Sequence, residues 1–137
     1  GGGWKKLISE SVSNKQFKKC LNDICGIKIS NIHDYYGMVE QTGTIYMECK
    51  KGHMHSSVFS DVLIRRHEDF SLAGIGERGL IEVVSILPQS YPGHSLLTND
   101  EGVLLGEDDC PCGRKGKYFK VIGRVKNAQI RGCSDTF

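Results

Sequence analysis

From Gly26 onward the chain is punctuated by backbone breakers. Gly52, Gly74, Gly76, Gly79, Pro88, Pro92-Gly93, Gly102, Gly113 and Gly116 leave apolar stretches only a few residues long. Such stretches suit strands and turns rather than helices. The candidate strands are 44–49, 62–65, 80–87, 95–98, 103–105 and 117–122, with a shorter alternation at Ile27 and Ile29 and a turn at Tyr36-Gly37. Before Gly26 the pattern is different. Ser13 and Gln16 have capping-box spacing, and Phe17, Cys20, Leu21 and Ile24 recur at helical intervals. This predicts one amphipathic helix over 14–25, ended by Gly26 as the C-terminal glycine. On that helix Cys20 is expected to be a small buried hydrophobe, and Cys25 likewise. The expected fold class is α/β in the broad sense of mixed α and β: one N-terminal helix, then a β-rich distorted sheet or partial barrel. No repeat or low-complexity tract interrupts it.

At 137 residues the chain is expected to form a single domain, 1–137, large enough for its own core. A net charge of +2 decides nothing about a nucleic-acid partner, but the sequence has no clustered basic stripe and no aromatic–basic interleaving, which argues against one. No apolar run approaches the roughly 20 residues of a membrane span, and no signal peptide is visible. The chain begins at Gly1-Gly2-Gly3 rather than at Met. A fragment that starts inside a glycine motif is the preferred reading, with an expression scar as the alternative.

The cysteines are Cys20, Cys25, Cys49, Cys110, Cys112 and Cys133. Cys110 and Cys112 are too close in sequence to bridge comfortably, and the chain needs no staples. Reduced thiols in a cytoplasmic protein are expected. Cys49, His55, Cys110 and Cys112 form a thiolate–imidazole set of the kind structural zinc takes, with His53 competing for the histidine place. The alternative is free thiols near the surface with solvated histidines. His33, His67 and His94 stand alone and are expected to be surface or packing residues.

Three segments carry a more specific pattern. They are Asp34-Tyr35-Tyr36-Gly37-Met38-Val39-Glu40, then Gly123-Arg124-Val125-Lys126, then Arg131-Gly132-Cys133-Ser134-Asp135. In this order, and with the Cys110-Pro111-Cys112-Gly113-Arg114 run, the chain resembles the acyl-protein synthetase family of LuxE type. More distantly it is similar to the phenylacetate–coenzyme A ligases of the same adenylate-forming superfamily. The resemblance runs from Gly1 to Phe137 and implies the C-terminal segment of the large adenylate-forming domain, which ends in a distorted barrel.

The resemblance implies ATP and Mg²⁺ as cofactors and a carboxylic, in particular fatty, acid as substrate. Gly2 and Gly3 would line the adenine and acyl pocket. Tyr36, beside Gly37, would pack on adenine, and Glu40 would ligate Mg²⁺. Asp100 would take the ribose hydroxyls from a Thr98-Asn99-Asp100 turn in which Asn99 replaces the usual glycine. Arg124 would contact ribose or phosphate, and Lys126 would be the lid hinge. Cys133 would accept the acyl group and pass it to a partner protein such as a reductase subunit. The resemblance to the phenylacetate–coenzyme A ligases implies His55 rather than His53 as zinc ligand. Glu82 stands displaced from the superfamily's Gly-Glu and is given no role. The phosphate loop and the lid lysine are not in the chain, so this segment alone is expected to be inactive. Its exposed apolar surface is expected to favour self-association. Two alternatives remain: a coenzyme A ligase fragment, and a non-catalytic zinc-stabilised binding module.

Overall fold

The computed structural model describes residues 8–125. These fall into two compact units, one up to Asp34 and one from Tyr35 onward. Gly2, Gly3, Lys126 and Cys133 lie outside the described residues.

The first unit holds α1 (Asn14–Cys25) and two single turns of 3₁₀ helix, Ile8–Glu10 and Ile29–Asn31. The helix begins where the side-chain chemistry requires. Ser13 Oγ accepts the Gln16 backbone N–H at 3.2 Å, and Gln16 Oε1 accepts the Ser13 N–H at 3.0 Å. Two orphan donors of the first turn are thereby satisfied. Gly26 closes the helix in the left-handed region at φ 68°, donating its N–H to the Asn22 carbonyl. The expected burial of Cys20 and Cys25 is corrected: both are exposed, and α1 buries none of its residues. Periodicity marks a face as apolar without saying what covers it. The alternation at Ile27 and Ile29 gives the second 3₁₀ turn rather than a strand.

The second unit is one antiparallel sheet of seven strands: β1 (Tyr35–Tyr36), β2 (Tyr46–Glu48), β3 (Met54–His55), β4 (Ser60–Arg65), β5 (Arg78–Ser85), β6 (Ser95–Glu107) and β7 (Lys117–Arg124). Their order across the sheet is β1-β2-β3-β7-β6-β5-β4. The sheet curls, bringing its second strand against its last. Tyr46 Oη on β2 donates to the Asp61 carbonyl on β4 at 2.9 Å, and Thr44 Oγ1 donates to Ser85 Oγ at 2.7 Å. Just outside β1, buried Gln41 donates its side-chain amide to the Gly93 carbonyl at 3.0 Å. Period-two alternation turns Val62 and Ile64 of β4, and Gly79, Ile81, Val83 and Ser85 of β5, inward. With Tyr46 and Phe119 these aliphatic residues make the main core, against which Tyr36, Met54, Leu104 and Val121 pack.

Two expected strands, 95–98 and 103–105, are one strand. Gly102, read as a breaker, lies inside β6, where a Cβ would meet Ile81 Cγ1 and the Lys120 carbonyl, each at 2.8 Å. Glycine here permits close approach of β6 to its neighbours. The expected turn at Asn99-Asp100 is corrected for the same reason. Both residues are in β6, and Asp100 faces Arg124 across the ladder just before the register shifts between Glu101 and Gly102.

Candidate functional site

β7 links two groups of side chains. At its start, two turns face each other. After β2 the chain reverses tightly: the Gly52 N–H reaches the Cys49 carbonyl and the Cys49 N–H the His53 carbonyl, both at 2.8 Å. Gly52, at φ 79°, supplies the left-handed residue of this turn. The chain returns as β3, where His55 pairs with Tyr118 of β7. On the other side, the loop between β6 and β7 turns at Cys110-Pro111-Cys112-Gly113, closed by Gly113 N–H to the Cys110 carbonyl at 2.9 Å. Asp108 pins that loop by accepting the Gly116 N–H at 2.7 Å.

The two turns bring Cys49, His55, Cys110 and Cys112 together, with one ligand-type atom from each lying within 4.8 Å of the others. Cys112 Sγ and His55 Nε2 are 3.5 Å apart. A tetrahedral zinc with bonds of about 2.0 to 2.3 Å holds its donors roughly 3.3 to 3.8 Å apart. Three sulfurs and one imidazole nitrogen are the donor chemistry zinc prefers, so these residues fit that ion. Cys49, Cys110 and His55 are buried, and His55 Nδ1 has no hydrogen-bond partner among the described residues. Without metal, burial pushes the Cys110 thiol up to about 11. Cys112 is held below its usual range: burial opposes ionisation there, but the Arg114 N–H and the neighbouring thiols outweigh it. His55 is pushed down by burial, then by the Arg114 and His53 charges, which favours the neutral imidazole that binds metals.

His53 does not join this set. Its Nδ1 lies 3.4 Å from Cys110 Sγ, and its ring stacks on Tyr118 at 5.2 Å. His55 stacks on the same Tyr118 ring at 5.6 Å.

The second group lies toward the far end of β7. Tyr36 Oη of β1 donates to Asp100 Oδ2 of β6 at 2.9 Å. The Tyr36 ring packs on Tyr46 and edge-on to Phe119, each with centroids 6.1 Å apart. Burial, then the Asp100 charge, holds the phenol far above its usual range, so it remains a proton donor. Thr98 Oγ1 accepts the Asp100 N–H at 3.1 Å, and the Val125 N–H reaches the Asn99 carbonyl at 2.9 Å. Arg124, opposite Asp100, has a buried Nε with no partner among the described residues. Tyr36, Asp100 and Arg124 thus converge from three strands. Gly37 follows Tyr36 directly, and a Cβ there would lie 3.2 Å from the Thr44 carbonyl. Glu40 is exposed on a 3₁₀ turn, Val39–Gln41.

The sequence pattern missed the Tyr36–Asp100 bond and the His53–Cys110 contact. Neither has a local signal, because partners 64 and 57 residues apart meet only through the sheet. His67, expected to stand alone, pairs with Glu101 at 3.0 Å. Glu82 accepts from Arg65 and Ser95, an outer-face contact. No helix among the described residues is long and apolar enough to cross a membrane.

The family model described as "Acyl-protein synthetase, LuxE" matches residues 1–137. The long-chain-fatty-acid–luciferin-component ligase of Aliivibrio fischeri is 26% identical over 136 residues, covering 98% of this chain and 35% of that protein. The protein of the same description from Vibrio harveyi is 26% identical over 137 residues, covering 98% of this chain and 34% of that one. The chain therefore spans about a third of the length of these curated relatives.

Proposed function

Because this chain belongs to the LuxE acyl-protein synthetase family, we propose that it is the C-terminal segment of the adenylate-forming domain of a cytoplasmic, ATP-dependent acyl-protein synthetase. In the whole protein, a fatty carboxylate oxygen attacks the α-phosphorus of ATP and pyrophosphate leaves. The Cys133 sulfur then attacks the acyl carbon, AMP leaves, and the thioester passes to an acyl-accepting partner protein. The observation that carries this reading is the convergence of Tyr36, Asp100 and Arg124: a phenol on a carboxylate at 2.9 Å, with an arginine paired opposite. A carboxylate offers two acceptor oxygens to a ribose diol, and Tyr36 occupies only part of that capacity. The unpartnered Arg124 Nε supports a role toward an anionic ligand.

The remaining roles follow the family pattern. Gly2, Gly3 and Gly37 let backbone approach the nucleotide, Glu40 would hold Mg²⁺, and Lys126 is the hinge for a lid. Bound Mg²⁺ would neutralise phosphate charge. Cys49, His55, Cys110 and Cys112 would hold a structural zinc, with no position left open for chemistry. The segment alone lacks the phosphate loop and is inactive in this reading.

The test is pyrophosphate exchange and covalent acylation in the full-length protein. Exchange dependent on a fatty acid, with Cys133→Ser abolishing protein acylation but not exchange, is the expected result. Undiminished thioester formation with coenzyme A in Cys133→Ser would favour the coenzyme A ligase reading. No exchange with any acid would leave a zinc-stabilised binding module.

A further inference from the structure

We propose that His53 is a positioning residue for the metal centre: it donates its Nδ1–H to Cys110 Sγ and fixes that sulfur in place, while His55 alone supplies the nitrogen ligand. The inference rests on the zinc reading of the four-residue cluster. Three thiolates and one neutral imidazole carry one more negative charge than a divalent ion neutralises. Here that excess is largely buried, with Cys49 and Cys110 each 5% exposed. A buried charge that lacks donors is costly, so the sulfurs need N–H groups around them.

The structure supplies such groups at each sulfur. The Lys51 backbone N–H points at Cys49 Sγ at 3.4 Å, and the Arg114 N–H at Cys112 Sγ at 3.3 Å. These come from the residue two positions on, as each turn dictates. Cys110 receives the Cys112 N–H in the same way. It also receives His53 Nδ1 at 3.4 Å, the one side-chain nitrogen outside the four-residue set that reaches any of these sulfurs among the described contacts. Cys110 is buried in one cluster with Cys49 and Tyr118, against which Leu105 and Cys112 pack.

Tyr118 sets the two imidazoles in register. It is 7% exposed, and both rings stack on it nearly parallel, at 23° for His53 and 20° for His55. Gly106 leaves room for it, because a Cβ there would lie 2.7 Å from Tyr118 Oη. One buried aromatic therefore orients both histidines: His55 presents Nε2 to the cluster, and His53 presents Nδ1 to a single sulfur.

The experiment is zinc affinity of the full chain by chelator competition, with metal content by mass spectrometry and far-ultraviolet circular dichroism as a check on folding. His53→Phe keeps a ring to stack on Tyr118 and removes the donor. His53→Gln restores a donor. The expected result is that His53→Phe still binds about one zinc per chain but about 10- to 100-fold more weakly, with His53→Gln recovering most of the loss. The cobalt-loaded His53→Phe protein should keep its tetrahedral d–d spectrum while its thiolate-to-metal charge-transfer band moves. His55→Phe should instead abolish that tetrahedral spectrum.

Unchanged affinity in a folded His53→Phe protein would overturn the proposal. So would loss of the tetrahedral spectrum in His53→Phe with its retention in His55→Phe, because the histidines would then have exchanged roles. Absence of zinc from the wild-type chain, even after zinc is supplied, would overturn the metal reading itself. The adenylate reading stands or falls separately, on pyrophosphate exchange.

Discussion

At the Lys117 end of β7, four donor atoms from two turns and β3 meet in a mostly buried cluster, and backbone N–H groups already attend the sulfurs. At the Arg124 end, a phenol meets a carboxylate, Arg124 sits opposite that carboxylate in the ladder, and its buried Nε is left without a partner among the described residues. The same strand supplies both ends, and the same core residue, Phe119, lies between them. The difference is one of completeness. A structural metal site needs only a few short-range donors, and two facing turns with the adjoining strand can deliver all of them. A nucleotide site must also grip phosphates and close over a substrate, and in the proposed enzyme this segment would provide one wall of it. In the proposed enzyme, the first end is a staple and the second is a surface awaiting the rest of the protein.

The comparison predicts that the ends can be damaged independently. The largest effect belongs to the metal end. Chelation, or Cys110→Ser, should remove the proposed zinc and lower the thermal midpoint strongly, since structural zinc binding is worth roughly 10–16 kcal/mol in zinc-finger peptides. Calorimetry of the loaded and stripped chain checks this. A midpoint indifferent to chelation would remove the staple from the picture.

Next comes the shared core. Phe119→Ala should cost about 3–5 kcal/mol in urea unfolding and loosen both ends together. Loss confined to one end would argue that the sheet does not couple them.

A smaller effect is expected from Tyr36→Phe, which removes the hydroxyl that bonds Asp100 and keeps the ring. Urea unfolding should show a stability loss of about 1.5–3 kcal/mol, the worth of a hydrogen bond to a charged group. Zinc content should not change. Measuring both on one preparation separates the two ends directly.

The smallest effect lies on the outer face of β6. The Arg78 side chain, with His67 further off, holds the Glu101 carboxyl below its usual range. A depressed carboxyl contributes stability above its unfolded pKa and loses it as pH falls through the folded value. Glu101→Gln should therefore lower stability at pH 7 by at most about 1 kcal/mol, since Arg78 is more than half exposed. Thermal melts across acid pH should show the deficit shrink below the ordinary carboxylate range and vanish only beneath the lowered folded value, where the wild-type carboxyl is protonated too.

Local patterns in the chain were sufficient for α1. Its cap, its stripe and its terminal glycine act within a few residues of one another, so each is written where it works. The strands were legible where alternation was strong, as in β4, β5 and β7. They were not legible where a strand was two residues long, as in β1 and β3. Nor did sequence reveal that Gly102 lies within a strand, because its meaning depends on Ile81 and Lys120 across the sheet. The residue types of both sites were visible too: thiols and imidazoles at one, tyrosine, aspartate and arginine at the other.

What sequence alone determined, then, was chemistry and local geometry, which depend on side-chain identity and short-range backbone preference. The tertiary structure decided partnership. It assigned Tyr36 to Asp100, and put His55 among the sulfurs and His53 against one of them. Those outcomes depend on strand order and register, which are set by how the whole sheet buries its inner face. No segment carries that information by itself, because a one-residue slip in pairing would turn every one of these side chains to the other face.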